Sequence, residues 1–76
     1  MLHIGRRIED ELRYQERTIA WFARKLYCHR QNVYDIFKRD SIDTMLLSRI
    51  SYILNHDFFK DLSDEMQKTG KLTNNM

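Results

Sequence analysis

Seventy-six residues allow one small domain, and a hydrophobic fraction of 42% with four Phe, four Tyr and one Trp is enough for a compact core. The chain has no Pro and only two Gly, which disfavours a sheet with many tight turns and favours helices. A single Cys excludes an internal disulfide, the three His follow no metal-ligand spacing, and no apolar run approaches the length of a membrane span. We therefore expect no metal, no cofactor, no membrane association and a cytoplasmic location.

Positive charge is concentrated in the centre of the chain. Residues 17–40 contain six Arg or Lys against two Asp, a local balance of +4, although the formal net charge of the whole chain is only +2. The remaining residues therefore sum to −2. A basic centre in a nearly neutral chain indicates a polyanionic partner.

The first predicted helix covers about residues 4–15. Ile4, Ile8 and Leu12 recur every four residues, and charged residues fill the other faces. The acidic run at residues 9–11 falls on this solvated surface and is given no catalytic role.

Thr18 is a candidate N-cap for a second helix at about residues 19–26, whose inward positions are Phe22, Ala23 and Leu26. Two alternatives follow. If this helix simply continued, Arg30 would extend its apolar stripe and lie near the core.

If the chain instead turns at residues 27–28, Cys28 becomes a buried plug and His29 caps a third helix at residues 30–38. Val33, Ile36 and Phe37 then face inward, and the polar side chains between them face out. We prefer this alternative because it buries no charge.

Two further helices follow. Asp43 is a candidate N-cap for a helix at about residues 44–54, and Asp57 for a helix that ends near Gly70. The fourth helix has an apolar stripe of Leu46, Ile50, Ile53 and Leu54, with Leu47 as a further candidate; in the fifth, Phe58, Phe59, Leu62 and Met66 repeat at helical spacing. We predict one domain at residues 1–69 and a flexible tail at residues 70–76.

Residues 18–38 resemble the lambda-repressor-like, Cro/XRE-type helix-turn-helix family. Its pattern is an N-cap Thr or Ser, a Leu-Ala pair, an apolar residue, a turn Gly followed by an apolar residue, and a recognition helix with inward Ile or Val. These places are filled here by Thr18, Phe22, Ala23, Leu26, Cys28, Val33 and Ile36. The flanking helices also fit, so the resemblance covers about residues 4–60. It implies a compact, all-α, five-helix lambda-repressor-like DNA-binding domain.

The chain departs from the family pattern at three positions. Tyr27 stands where Gly is usual, and a Tyr with positive φ costs on the order of 1 kcal/mol, which favours a slightly remodelled turn. Ile19 replaces a frequent phosphate-binding Gln, and Phe37 replaces a frequent polar residue.

The resemblance implies a sequence-specific regulator of transcription, a small repressor that reads the major groove of double-stranded DNA with residues 30–38. It assigns base contacts to Arg30, Gln31, Asn32, Tyr34 and Asp35, and backbone contacts to Thr18, His29, Lys38 and Arg39. Asp35 has an alternative, structural role in pairing with Lys38 or Arg39.

A homodimer is expected, with Phe59, Leu62 and Met66 as the candidate seam. The alternative function is a helix-turn-helix-fold adaptor or antitoxin-like partner that docks through Trp21 and the 58–59 pair. An enzyme is not expected, because Cys28 is assigned to packing and no phosphate loop or Ser/His/Asp set is recognisable.

Overall fold

The computed structural model describes residues 2–68, which form five α-helices and, within that range, no strand. The helices in chain order are α1 (Ile4–Tyr14), α2 (Ile19–Leu26), α3 (Arg30–Phe37), α4 (Thr44–Leu54) and α5 (Phe58–Lys68). The predicted all-α class with five helices is confirmed. Position 69 and the predicted tail at residues 70–76 lie outside the described residues.

Capping side chains fix where the helices begin. The side-chain oxygens of Thr18, Asp43 and Asp57 each accept a hydrogen bond from the backbone N–H three residues later, at 2.9–3.1 Å. Each bond satisfies an amide that has no partner within its own helix. The predicted N-caps Thr18, Asp43 and Asp57 are confirmed. His3 caps α1 in the same way, because its Nδ1 accepts from the N–H of Arg6 at 3.1 Å, and this cap was not predicted.

Three helices end at a residue with left-handed backbone geometry. Glu16, Tyr27 and Asn55 have φ of 57°, 57° and 51° after α1, α2 and α4 respectively. In each case the next residue donates its N–H to the carbonyl five positions back, at 3.0–3.1 Å, which is the Schellman arrangement. Tyr27 therefore adopts the conformation that Gly usually supplies, and the expected remodelling of the turn is wrong.

The core combines the apolar stripes of all five helices. Its buried members are Ile4, Ile8, Leu12, Phe22, Ala23, Leu26, Val33, Ile36, Phe37, Leu47, Ile50, Leu54 and Phe58. On α4 the helix is turned towards Leu47, so Leu46 and Ile53 are only partly buried, contrary to the predicted stripe. Cys28 is also partly buried rather than a fully buried plug.

Glu11, which the sequence predicted to lie on the solvated surface of α1, is buried. Its carboxylate accepts hydrogen bonds from Arg7 Nη2 at 2.9 Å and from Gln15 Nε2 at 2.8 Å, and His56 Nδ1 lies 3.8 Å away. Arg7 and His56 also contact Asp61 of α5, at 3.0 and 2.7 Å. This group, the Glu11 cluster, joins α1 to the α4–α5 loop and to α5.

Burial of the Glu11 carboxyl raises its pKa, but the opposing effects together are larger. Hydrogen bonds from Gln15 and Arg7, with the positive charges of His56 and Arg7, favour the ionised carboxylate. The net result is a pKa below the usual value for glutamate.

Gly5 brings the first turn of α1 against the C-terminal end of α3. Its N–H donates to the carbonyl oxygen of Arg39 at 2.9 Å. A Cβ at this position would lie only 2.5 Å from the carbonyl oxygens of Ile36 and Phe37, and those atoms belong to the backbone. Only glycine allows so close an approach, which positions α1 beside the exposed face of α3.

Candidate nucleic-acid interface

The central feature is a pair of short helices joined by a three-residue turn. α2 ends at Leu26, Tyr27 reverses the chain direction with its left-handed geometry, and α3 begins at Arg30. The two helices pack against each other, while α3 also packs against α1 and α2 against α4. α3 is therefore supported from two sides by the rest of the domain.

The outward surface of α3 carries every side chain that the sequence assigned to base contacts. Val33, Ile36 and Phe37 are buried and define the inward face. The exposed residues on the other side are Arg30, Gln31, Asn32, Tyr34 and Asp35. The predicted backbone-contact residues Thr18, His29, Lys38 and Arg39 are exposed as well. The structure thus leaves all nine accessible to a ligand.

Two contacts order this outward surface. Gln31 Nε2 donates to Asp35 Oδ1 at 3.2 Å, one helical turn further on. The Tyr34 ring meets the Phe37 ring edge-on, with 6.4 Å between centroids. Asp35 forms no ion pair within residues 2–68, so its predicted pairing with Lys38 or Arg39 is wrong and its structural partner is Gln31.

Basic side chains on this side of the molecule lack carboxylate partners. None of the six between positions 17 and 39 forms an ion pair with any described residue. They are Arg17, Arg24, Lys25, Arg30, Lys38 and Arg39. By contrast, Arg7, Arg13 and Lys60 of α1 and α5 each have a carboxylate oxygen within 3.2 Å. These three cations of α1 and α5 are therefore neutralised, whereas the six cations around α2 and α3 are not paired within residues 2–68.

Trp21 is partly covered by these basic groups. The Arg17 guanidinium lies over its ring, 4.5 Å from the centroid, and the Lys25 ammonium lies 6.0 Å away. Cation–π attraction holds Arg17 close to the start of α2, next to Thr18. The Thr18 oxygen accepts from the backbone, which leaves its hydroxyl hydrogen to donate to a ligand.

His29 occupies the N-cap position of α3, but its side chain makes no capping hydrogen bond. Its carbonyl oxygen accepts the N–H of Asn32 at 3.0 Å instead. The predicted position is therefore correct, whereas capping by the side chain is wrong, and the exposed ring stands at the N-terminal end of α3.

Sequence reasoning missed the contribution of α1 to this surface. Arg6 and His3 line a groove with Tyr34 and Lys38 of α3. The available signal was Gly5, because a glycine inside a helical pattern costs about 1 kcal/mol relative to Ala and often marks a close backbone approach.

Neither a protein-family model, nor a curated protein, nor a solved structure matches this chain. Between residues 2 and 68, no helix has both the length and the apolar character needed to cross a membrane.

Proposed function

We propose that the protein is a sequence-specific double-stranded DNA-binding regulator of transcription. In this proposal α2, the turn and α3 form a helix-turn-helix within a lambda-repressor-like arrangement, and residues 30–38 read the major groove. The observation that carries the proposal is the exposed surface of α3, where side chains that can hydrogen-bond to bases stand beside cations without carboxylate partners.

Base reading is assigned to the first turns of α3. Arg30 can donate two parallel hydrogen bonds to guanine, and Gln31 can pair with adenine, each worth about 1–3 kcal/mol of discrimination. The bond from Gln31 to Asp35 orients the amide before binding. Tyr34, one turn along, is placed to contact a thymine methyl or a phosphate, and Asn32 supplies a further base or sugar contact.

Backbone contacts supply most of the affinity in this mechanism. Lys38 and Arg39 follow the end of α3, His29 precedes its start, and Thr18 lies at the start of α2. Each phosphate that a cation neutralises releases counterions from the duplex, so binding should weaken steeply as salt is raised. The proposed location is the cytoplasm, where the protein can reach cellular DNA.

A homodimer is part of the proposal, since one such module contacts few bases. Phe59, Leu62 and Met66 lie at i, i+3 and i+7 on α5, and each is at least one-third exposed. Two copies joined there would present two reading helices about one helical turn of DNA apart. Sedimentation equilibrium of wild type and Leu62→Lys tests this: a monomeric wild type at micromolar concentration contradicts the seam.

Selection from random duplex DNA tests the DNA-binding proposal directly. We expect the wild-type chain to enrich a pseudo-palindromic site. Arg30→Ala should relax the preference at one base pair, at a cost of about 1–3 kcal/mol. Lys38→Ala should weaken binding to all sequences and reduce the slope of log affinity against log salt by about one.

Lys60→Ala is the matched control, because this α5 lysine is already paired with Asp64 at 3.2 Å. It should change neither the preferred sequence nor the salt slope. If the selection enriches no sequence, or if Arg30→Ala keeps full affinity and preference for the enriched site, the assigned reading surface is wrong.

A second candidate, a helix-turn-helix-fold adaptor or antitoxin-like partner, is favoured by a separate observation. Tyr27 and Tyr52 are 91% and 88% exposed and line one groove with Ile53, and a contiguous exposed apolar patch of this kind favours a docking surface. Phe58 is fully buried, so only Phe59 of the predicted docking pair is exposed to a partner. Retention on heparin no stronger than that of a neutral protein would favour this candidate.

A further inference from the structure

We propose that the groove between α1 and α3 is an additional binding site for a backbone phosphate of DNA. Arg6 and His3 contact this phosphate beside the reading helix. This inference rests on the proposed DNA-binding function and extends it to a helix outside the α2–α3 pair. It assigns a binding role to His3 and Arg6 at the start of α1. The sequence had indicated α1 only as an amphipathic helix.

The groove has a volume of about 370 Å³ and is open to solvent. It is lined by His3, Arg6 and Glu9 from α1 and by Tyr34, Phe37 and Lys38 from α3. The backbone bond from Gly5 to Arg39, and the absence of a Cβ between the two helices, hold its walls close together. The relative position of the two walls is therefore fixed by backbone atoms.

The lining is rich in hydrogen-bond donors. Arg6 and Lys38 are exposed cations, and neither pairs with a carboxylate of the described chain. Glu9 is the acid among the lining residues, and its carboxylate is held by Arg13 at 3.0 Å. The unbalanced charge in the groove is therefore positive, which suits a phosphate.

His3 contributes a donor because of the way it caps α1. Its Nδ1 accepts the N–H of Arg6 at 3.1 Å, so the neutral ring must carry its proton on Nε2. That N–H is then available to a phosphate oxygen, as is the phenolic O–H of Tyr34. Capping thus selects the tautomer that can bind an anion.

The groove is continuous with the proposed reading surface. Tyr34 and Lys38 belong both to the exposed side of α3 and to the groove lining. A duplex that receives α3 in its major groove presents a sugar-phosphate strand along the flank of that helix. Arg6 then reaches a phosphate that α2 and α3 alone do not hold.

The test measures binding to a labelled mixed-sequence duplex of about 20 base pairs, because backbone contacts do not depend on sequence. Affinity is followed between about 50 and 200 mM salt for wild type, Arg6→Gln, Lys38→Gln and the control Lys60→Gln. Arg6→Gln should reduce the salt slope by about 0.9, as one lost phosphate contact requires, and Lys60→Gln should leave it unchanged.

Two further variants probe the groove without removing a cation. Glu9→Gln should tighten binding because it deletes the acid of the lining. His3→Asp keeps a good N-cap residue for α1 but replaces a neutral donor with a negative charge, so it should weaken binding. Circular dichroism of each variant verifies that the helices are retained.

The outcomes separate the two proposals. If wild type does not bind the duplex at the lowest salt, DNA binding itself is wrong and the groove assignment falls with it. If wild type binds and Lys38→Gln flattens the slope while Arg6→Gln behaves like Lys60→Gln, the groove is not a phosphate site and DNA binding stands.

Discussion

Tyr27 has a backbone conformation that a bulky residue rarely adopts. Its φ of 57° and ψ of 46° place a bulky side chain in left-handed geometry, at a cost of roughly 1–2 kcal/mol relative to glycine. The side chain is 91% exposed, so little packing stabilises it in return. The strain is imposed by the two Schellman bonds that close α2, because the chain must reverse there for α3 to begin.

Tyr27→Gly should therefore stabilise the fold. Relief of the strain is partly offset by the greater freedom of glycine in the unfolded chain, about 0.5–1 kcal/mol, which leaves a net gain of up to about 1.5 kcal/mol. Thermal unfolding should show a rise in Tm of several degrees. Tyr27→Ala is the control, since alanine retains the Cβ that causes the strain and should leave Tm nearly unchanged. A lower Tm for the glycine variant would mean that the Tyr ring contributes packing after all.

At the scale of whole helices, boundaries were predictable and rotations were not. α2 and α4 begin where Thr18 and Asp43 predicted, because an N-cap bond is local and needs only the next three residues. The rotation of α4, which buries Leu47 rather than Leu46, is decided by how the helix packs on distant parts of the chain. The same limit applies to the candidate site: sequence predicted the exposed polar side chains of α3 but not the groove that α3 forms with α1.

The contact between α1 and α3 depends on a single glycine. Gly5→Ala would place a methyl group 2.5 Å from two backbone carbonyl oxygens, which cannot move aside as a flexible side chain could. We expect α1 to shift away from α3 and the bond to Arg39 to weaken. Overpacking and the weakened bond outweigh the better helix propensity of Ala, with a net loss of about 1–3 kcal/mol of unfolding free energy.

Chemical denaturation of Gly5→Ala and Arg6→Ala provides the measurement. Arg6 is the next residue in the same turn and its side chain is exposed, so its replacement should change the free energy of unfolding by no more than about 0.5 kcal/mol. Equal stability of Gly5→Ala and wild type would show that the close approach of the two helices is not needed.

Across the whole molecule, polar contacts divide the domain into two regions of different character. Where α1 meets α5, charges are paired: the Glu11 cluster lies over the buried Phe58 ring, with the Arg7 guanidinium 5.7 Å from its centroid. Around α2 and α3 the cations have no such partners among residues 2–68. Sequence alone could not reveal this, because Glu11 meets His56, and Arg7 meets Asp61, across more than forty positions of the chain. Pairing joins α1, the α4–α5 loop and α5 on one side of the domain, and the proposed DNA-binding function uses the unpaired cations of the other side.

The Glu11 cluster should make stability depend on pH in a defined direction. The pKa of Glu11 is lower in the folded chain than in the unfolded one, so its ionised form stabilises the fold above the usual glutamate pKa. That contribution is lost as pH falls through the lowered pKa, because the protonated carboxyl no longer attracts Arg7 and His56.

Glu11→Gln should reduce the free energy of unfolding near pH 7 by about 1–3 kcal/mol. The free energy of unfolding of this variant should also fall less than that of wild type between about pH 5 and pH 3. Glu9→Gln is the control, because its exposed pair with Arg13 is worth at most about 1 kcal/mol. Denaturation at a series of pH values would contradict this prediction if wild type and Glu11→Gln lost stability in parallel as the solution was acidified.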